Sequence, residues 1–261
     1  MKSPTLAPSM MSAIRTFAWR SLTKTMKIPV YVLIDTLVFP VIFLLIFTFL
    51  FGGAIAGSTG TYLQFLLPGM LVYTVTTMTV YTGIGIQSDL AKGVFSRFRT
   101  LPFWQPAAII GAMAIDVLRY VLAVTATASI GMLLGFRPEA GAVGLVLALL
   151  AVVLFAFSVS WIFACLGVII QKAEALTTST YLVLYPLMFT SNVFVDSSTM
   201  PGWLRPMVEY NPLSLAATGV RGLAHGTAEA SDLLWLFAGC AALIAVFAPL
   251  TFRLYRIKGN E

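Results

Sequence analysis

Charge is what this sequence has least of. Only 10% of its 261 residues are Asp, Glu, Lys or Arg, against about 25% in soluble domains. A chain that keeps its surface in water cannot spare that much charge, whereas one whose outside faces lipid can. Histidine is nearly absent too: His225 is the only one. A single histidine outside the apolar runs supplies neither a zinc site nor a His-dependent hydrolase inside the bilayer. It reads as a solvated loop residue. The two cysteines, Cys165 and Cys240, both lie within apolar runs. They read as small buried hydrophobes, with no disulfide framework or metal-ligand spacing. No G-x-x-x-x-G-K-[ST] run occurs, so the chain has no P-loop with which to bind ATP. No secretory signal peptide is visible, because residues 1–28 are amphipathic.

What is present is hydrophobic, at 59% of residues. About 20 consecutive apolar residues cross a bilayer as a helix. Six runs qualify, near 30–52, 62–86, 112–134, 141–170, 176–195 and 232–254. The whole chain, residues 1–261, therefore reads as one all-α membrane domain with six transmembrane helices and no appended soluble domain.

The formal net charge of +6 first suggests nucleic acid, but the cations flank the apolar runs and form no stripe. Lys2, Arg15, Arg20, Lys24, Lys27, Lys92, Arg97, Arg99, Lys172, Arg253, Arg256 and Lys258 fall on one side of the six-span layout. Only Arg137, Arg205 and Arg221 fall on the other, with Arg119 near the start of the third run uncounted. The richer side is cytoplasmic by the positive-inside rule, which puts both termini inside.

Three segments between the runs have a character of their own. In residues 9–28, Met10, Ile14, Phe17, Leu22 and Met26 recur at roughly helical spacing, with Arg20, Lys24 and Lys27 on other faces. That predicts a helix lying on the inner leaflet. The loop 87–111 predicts one short cytoplasmic helix from Ser88 to Thr100, capped by Ser88 or Asp89 and stopped before Pro102. Segment 196–230 holds Pro201, Trp203, Leu204, Pro206, Val208, Pro212, Leu213 and Leu215. It is too apolar for a wet loop and too broken for a span, so it predicts an outer re-entrant hairpin. Within it, Asn211-Pro212 predicts a break between two half-helices.

Charges inside the runs are few. Asp35 lies in the first, and Asp116 and Arg119 stand i, i+3 in the third. The spacing predicts a structural ion pair at the inner boundary, because no series of carboxylates crosses the midplane as a proton relay would require. Gly53/Gly57 and Gly131/Gly135 have a spacing that permits close helix contact.

Three blocks carry a more specific signal: D-L-A-K-G-V-F-S-R-F-R-T-L-P at 89–102, Y-P-L-M-F-T-S-N-V-F-V at 185–195 with M-P-G-W-L-R-P at 200–206, and N-P-L-S-L-A-A-T-G-V-R-G-L at 211–223. Together they resemble the type-2 ABC transporter permeases, most closely the daunorubicin/doxorubicin resistance permease subfamily. Phe103-Trp104 departs from the pattern, since small or basic residues are commoner there.

The resemblance implies a fold and a set of roles. The chain would be the permease subunit of an ATP-driven exporter in a bacterial cytoplasmic membrane, carrying drugs or lipids outward. It would be no enzyme and bind no cofactor of its own; ATP and Mg would sit in a P-loop ABC ATPase, present in two copies. A second permease, identical or paralogous, would complete the unit. Asp89, Lys92, Gly93, Phe95, Arg97, Phe98 and Arg99 would form the coupling helix that docks on the ATPase. Lys172 and Glu174, beside Gln171, would make a second contact. Pro201, Trp203, Asn211 and Pro212 would belong to the outer gate. Tyr73, Tyr81, Tyr181, Phe189 and Asn192 would line the substrate path. Other functions remain open, among them a non-transporting membrane scaffold, whose loops would need no coupling signature. Export of a lipid-linked glycan or glycolipid would use the same architecture; a secondary transporter would need midplane carboxylates and usually an internal repeat.

Overall fold

The computed structural model describes residues 10–26, 34, 38–92 and 107–258. Asp35, Gly93, Phe95, Arg97, Phe98 and Arg99 lie outside the described residues. Of the described residues 86% are helical, and none is in a strand. Helix α1 is Met10–Met26. Helix α2 is Phe39–Ala56 and contains a π turn at Phe47–Phe51. Then come α3 (Thr59–Ala91), α4 (Ala107–Leu133), α5 (Gly141–Ile169) and α6 (Ala173–Phe189). A 3-10 turn at Ser197–Thr199 leads to α7 (Arg205–Glu209), α8 (Pro212–His225) and α9 (Ala230–Lys258).

Five of these helices, α2, α3, α4, α5 and α9, are long and apolar enough to cross a membrane. The expected fifth span, 176–195, is the exception. Its helix α6 has 17 residues and ends at Phe189. At 1.5 Å per residue it is about 26 Å long, short of a hydrocarbon core of about 30 Å. The apolar run continues past it as a turn.

Helix α3 is the mast of the bundle. It runs 33 residues, roughly 50 Å, and is buried along most of its length. Ser58 caps it, its Oγ accepting from the Thr61 N–H at 3.0 Å. It packs against α2, α4, α5, α6 and α8. Its hydroxyls turn back on its own carbonyls: Thr74 donates to Met70, Thr76 to Val72 and Thr79 to Thr76, at 2.6–2.7 Å. That satisfies polar atoms where hydrocarbon offers no partner.

Two sequence expectations change here. The helix continues through Ser88 and Asp89 to Ala91, so neither residue caps a new helix. Nothing in Q-S-D-L-A-K breaks a helix, and the Lys92 N–H still donates to the Ser88 carbonyl at 3.2 Å. Gly131 does pack closely on α3, where an added Cβ would run into the Leu67 side chain, but the main-chain contact between helices is elsewhere. An added Cβ on Gly53, Gly57 or Gly135 would meet nothing. One on Gly83 would lie 2.6 Å from the Phe163 carbonyl oxygen, and one on Gly167 would meet the Gly83 backbone. Here α3 and α5 cross with their main chains in contact.

The N-terminal helix forms as expected. Phe17 is buried, and α1 packs along α4. Arg20 pairs with Asp89 at 3.3 Å, tying α1 to the end of α3.

The Gly83 crossing tests this packing. Gly83→Ala should lower the stability of the detergent-purified protein by about 1–3 kcal/mol, the scale of overpacking against atoms that cannot yield. Gly53→Ala should leave thermal unfolding unchanged or raise its midpoint slightly, because the new methyl meets open space.

Candidate functional site

The sequence-predicted residues gather in three places along the bundle. At the end expected to face the cytoplasm, α3 finishes beside the loop between α5 and α6. Gln87 donates its amide N–H to the Gln171 carbonyl. This places the start of the expected coupling segment next to the expected second contact. Lys92, Lys172 and Glu174 are exposed, while Asp89 is partly covered by its pair with Arg20.

Above this end a polar network joins three helices. Arg119 Nη1 meets Asp116 Oδ1 at 2.9 Å, the expected i, i+3 pair. The Thr82 hydroxyl donates to Asp116 Oδ2 at 2.7 Å and shares a 3.0 Å contact with the Tyr120 hydroxyl. The Tyr120 hydroxyl in turn lies 2.8 Å from Ser160 Oγ. Asp116 is 8% exposed. Its carboxylate is consumed by the cross-link of α3, α4 and α5, which explains a buried charge without a transport role. Among the described residues, no group of His, Cys, Asp or Glu is placed to hold a metal ion.

The second place is a cavity of about 560 Å³ between α2, α3 and α6. Tyr73, Tyr81, Tyr181 and Phe189 all line it, with Phe39, Pro40, Phe43, Thr77, Met78 and Tyr185. Four of the five expected path residues thus line one cavity, two from α3 and two from α6. Tyr181 and Tyr185 stack with ring centroids 5.1 Å apart, and Phe43 faces Tyr73 at 5.5 Å. No lining residue carries a formal charge. Phe39, Phe43 and Tyr185 are additions to the sequence reading. Their signal was the i, i+4 spacing of Phe39/Phe43 and of Tyr181/Tyr185, which puts each pair on one helix face.

Asn192 is not in this cavity. It belongs to the third place, where α6 gives way to the hairpin segment. Its backbone N–H donates to Ser214 Oγ at 2.9 Å and its amide to Thr218 Oγ1 at 2.8 Å. Asn211 is the other pivot. Its Oδ1 accepts from the Leu213 N–H at 2.9 Å, capping α8, while its amide donates to the carbonyls of Leu187 at 2.7 Å and Thr190 at 3.1 Å. The chain breaks at Asn211-Pro212 as that dipeptide predicts. The hydrogen bonds of the break, however, are carried by Asn211. Pro212 occupies a first-turn position that needs no donor.

Elsewhere in the segment, the Pro201 carbonyl accepts from Leu204 and Arg205, and Trp203 is 75% exposed. The Ser198 N–H donates to Asp196 Oδ1 at 2.8 Å and holds that carboxyl below the usual carboxylate range; Arg221 and Arg205 add to the effect. Arg221 donates to the carbonyls of Phe65 and Asn192, at 3.1 and 3.2 Å, and lies 3.8 Å over the Phe65 ring. His225 is not the solvated loop residue expected. It ends α8, sits 3.1 Å from the Gln64 carbonyl and meets Phe136 edge to face.

With this geometry in hand, comparison with known proteins is decisive. The family model described as ABC-2 type transporter matches residues 12–224. The chain belongs to the ABC-2 type transporter family. It is 53% identical over 247 residues to the daunorubicin resistance ABC transporter permease protein DrrB1 of Streptomyces coeruleorubidus, covering 95% of this chain and 87% of that one. It is 20% identical over 255 residues to the probable doxorubicin resistance permease DrrC of Mycobacterium tuberculosis, covering 94% and 91%. The putative transport permease ycf38 of Porphyra purpurea matches at 25% over 195 residues, 70% of this chain and 65% of that protein. The ABC-2 chain is thus a multi-pass membrane permease closely related to a drug-resistance exporter permease. The family is the membrane component of an ABC transporter and not itself the ATPase.

Asn211 offers the clearest local test. Asn211→Ala removes the cap of α8 and both bonds to α6 and should cost about 2 kcal/mol in thermal unfolding. Asn211→Asp keeps the acceptor for Leu213 but sets a buried carboxylate oxygen against both carbonyls, so it should cost at least as much. Pro212→Ala should change stability by less than either.

Proposed function

We propose that this ABC-2 permease exports hydrophobic or amphipathic molecules, drugs or lipids, outward across a bacterial cytoplasmic membrane. The observation that carries this reading is the tyrosine-walled cavity between α2, α3 and α6, in a chain so similar to a drug-resistance permease. An uncharged aromatic wall suits flat apolar bodies, since ring faces stack and tyrosine hydroxyls remain available for hydrogen bonds. It provides no counter-charge for a phosphate-linked glycan.

Six spans, with α6 as the fifth, and both termini inside fit the 12-to-3 bias of Lys and Arg across the layout. Two copies of the single domain 1–261, face to face, would enclose the cavity between them; closed twofold pairing is the commonest arrangement of identical chains. ATP and Mg belong to two copies of a partner P-loop ATPase. Asp89, Lys92, Gly93, Phe95, Arg97, Phe98 and Arg99 form the docking element, with Lys172 and Glu174 beside them. ATP drives the cycle because the closed and open ATPase pairs bind it unequally. The hairpin residues Pro201, Trp203, Asn211 and Pro212 form the outer gate.

The docking element provides the test. Phe95 and Phe98 stand i, i+3, a spacing that in a helix puts both on one face. Phe95→Ala with Phe98→Ala should leave the permease inserted and folded, yet weaken ATPase binding by roughly 2–4 kcal/mol, the scale of interface hot spots. ATPase recovery on a tagged permease reads the affinity, and drug-stimulated ATP hydrolysis in liposomes reads coupling. Full recovery with full stimulation would refute the assignment.

A further inference from the structure

Phe194 is absent from the cavity lining, yet three aromatic rings converge on it. It lies in the turn between α6 and the Ser197–Thr199 turn, and it is 5% exposed. Its ring is 4.7 Å from Phe47, 5.7 Å from Phe189 and 5.7 Å from Tyr73. Tyr73 and Phe189 are cavity residues. Phe47 belongs to the π turn of α2, an irregularity often found at functional sites. The three contacts therefore bring α2, α3 and α6 together on one side chain at the end of the cavity nearest the hairpin.

The backbone around this ring is held from two directions. On the α3 side, the Tyr62 hydroxyl donates to the Phe194 carbonyl at 2.8 Å. Val193 lies so close to Gly69 that an added Cβ there would be 2.6 Å from the Val193 oxygen. On the hairpin side, α8 grips Asn192, two residues before the plug. Ser214 Oγ accepts from its backbone N–H, Thr218 Oγ1 from its side-chain amide, and Arg221 donates to its carbonyl. Ser214, Thr218 and Arg221 follow at i, i+4 and i+7, which is one face of α8.

We infer that Phe194 is an aromatic plug closing the outer end of the cavity, withdrawn when α8 moves. A rigid shift of α8 carries Asn192 by three hydrogen bonds, and Phe194 follows because only Val193 separates them. The inference rests on the reading of the cavity as the substrate path and of the hairpin as its outer gate. It adds the residue that seals the path and the link that moves it.

The test uses full-length permease in complex with its ATPase, in cells, with Cys165 and Cys240 replaced by Ala and a reporter thiol at Tyr81→Cys. A membrane-impermeant methanethiosulfonate is added outside without substrate. Phe194→Ala should raise the labelling rate at least tenfold, and Phe194→Leu, which keeps apolar bulk, should raise it less. Ser214→Ala with Thr218→Val keeps the ring but removes two of the three bonds that hold Asn192 to α8, and should also raise the rate. An unchanged rate in Phe194→Ala, with the variant eluting as a folded complex, overturns the plug. If Phe194→Ala fails to fold, the grip variant decides in its place, and an unchanged rate there overturns the mechanism. Protection of the thiol by daunorubicin separates the two readings. Fast labelling without protection upholds the plug and removes the path; protection without faster labelling does the reverse.

Discussion

Hydrocarbon offers no hydrogen-bond partner, and the rest of this structure follows from that constraint. It explains why most of the described residues are helical and why threonines on α3 donate to their own helix. It also explains the chemistry of the one long stretch, 190–211, where regular helix gives way. There the freed carbonyls must find donors, and side chains supply them: Asn211 to Leu187 and Thr190, Tyr62 to Phe194, and Arg221 to Asn192. Each of these bonds ties two separate parts of the chain together. The cost of irregular backbone is met by cross-links, and the cross-links tie segment 190–211 into the bundle.

The same constraint shapes how firmly each wall of the cavity is held. Helix α3 is long, buried and fixed to α5 by the Gly83–Gly167 crossing and to α4 and α5 by the Asp116 network. It has on one end Asp89 and Lys92 and along its side Tyr73 and Tyr81. Helix α3 is thus a stiff element that joins its Asp89 end to the cavity. Helix α6 is different: it packs on α3, and a second, largely apolar cleft of about 550 Å³ separates it from α5 and α9. Of the cavity walls it is the one with room to shift, and Phe194 and the hairpin stand at its far end.

Much of this was legible in the sequence because periodicity and punctuation carry it. Long apolar runs marked five of the helices that can cross a membrane, and Asn211-Pro212 marked the break. Tyr73, Tyr81, Tyr181 and Phe189 were recognisable as a set and do meet. What escaped was whatever depends on which faces oppose each other. Asn192 reads as a polar path residue, but α8 takes up its amide. His225 reads as wet because nothing local shows that Gln64 and Phe136 will cover it. Gly83 and Gly167 are 84 positions apart, so no spacing rule pairs them. Hydropathy also could not place the end of α6, since Thr190–Val195 is nearly as apolar as the helix before it. The Asx cap and its partners decide where that helix stops.

The central claim is that this permease, with an ATPase partner, moves an amphipathic drug outward at the expense of ATP. The direct measurement is daunorubicin accumulation in inside-out vesicles containing the permease and its co-expressed ATPase. ATP should drive accumulation above the ATP-free control, and a hydrolysis-deficient ATPase should abolish it. Equal daunorubicin levels with and without ATP, or ATP-dependent loss from preloaded vesicles, would contradict the account.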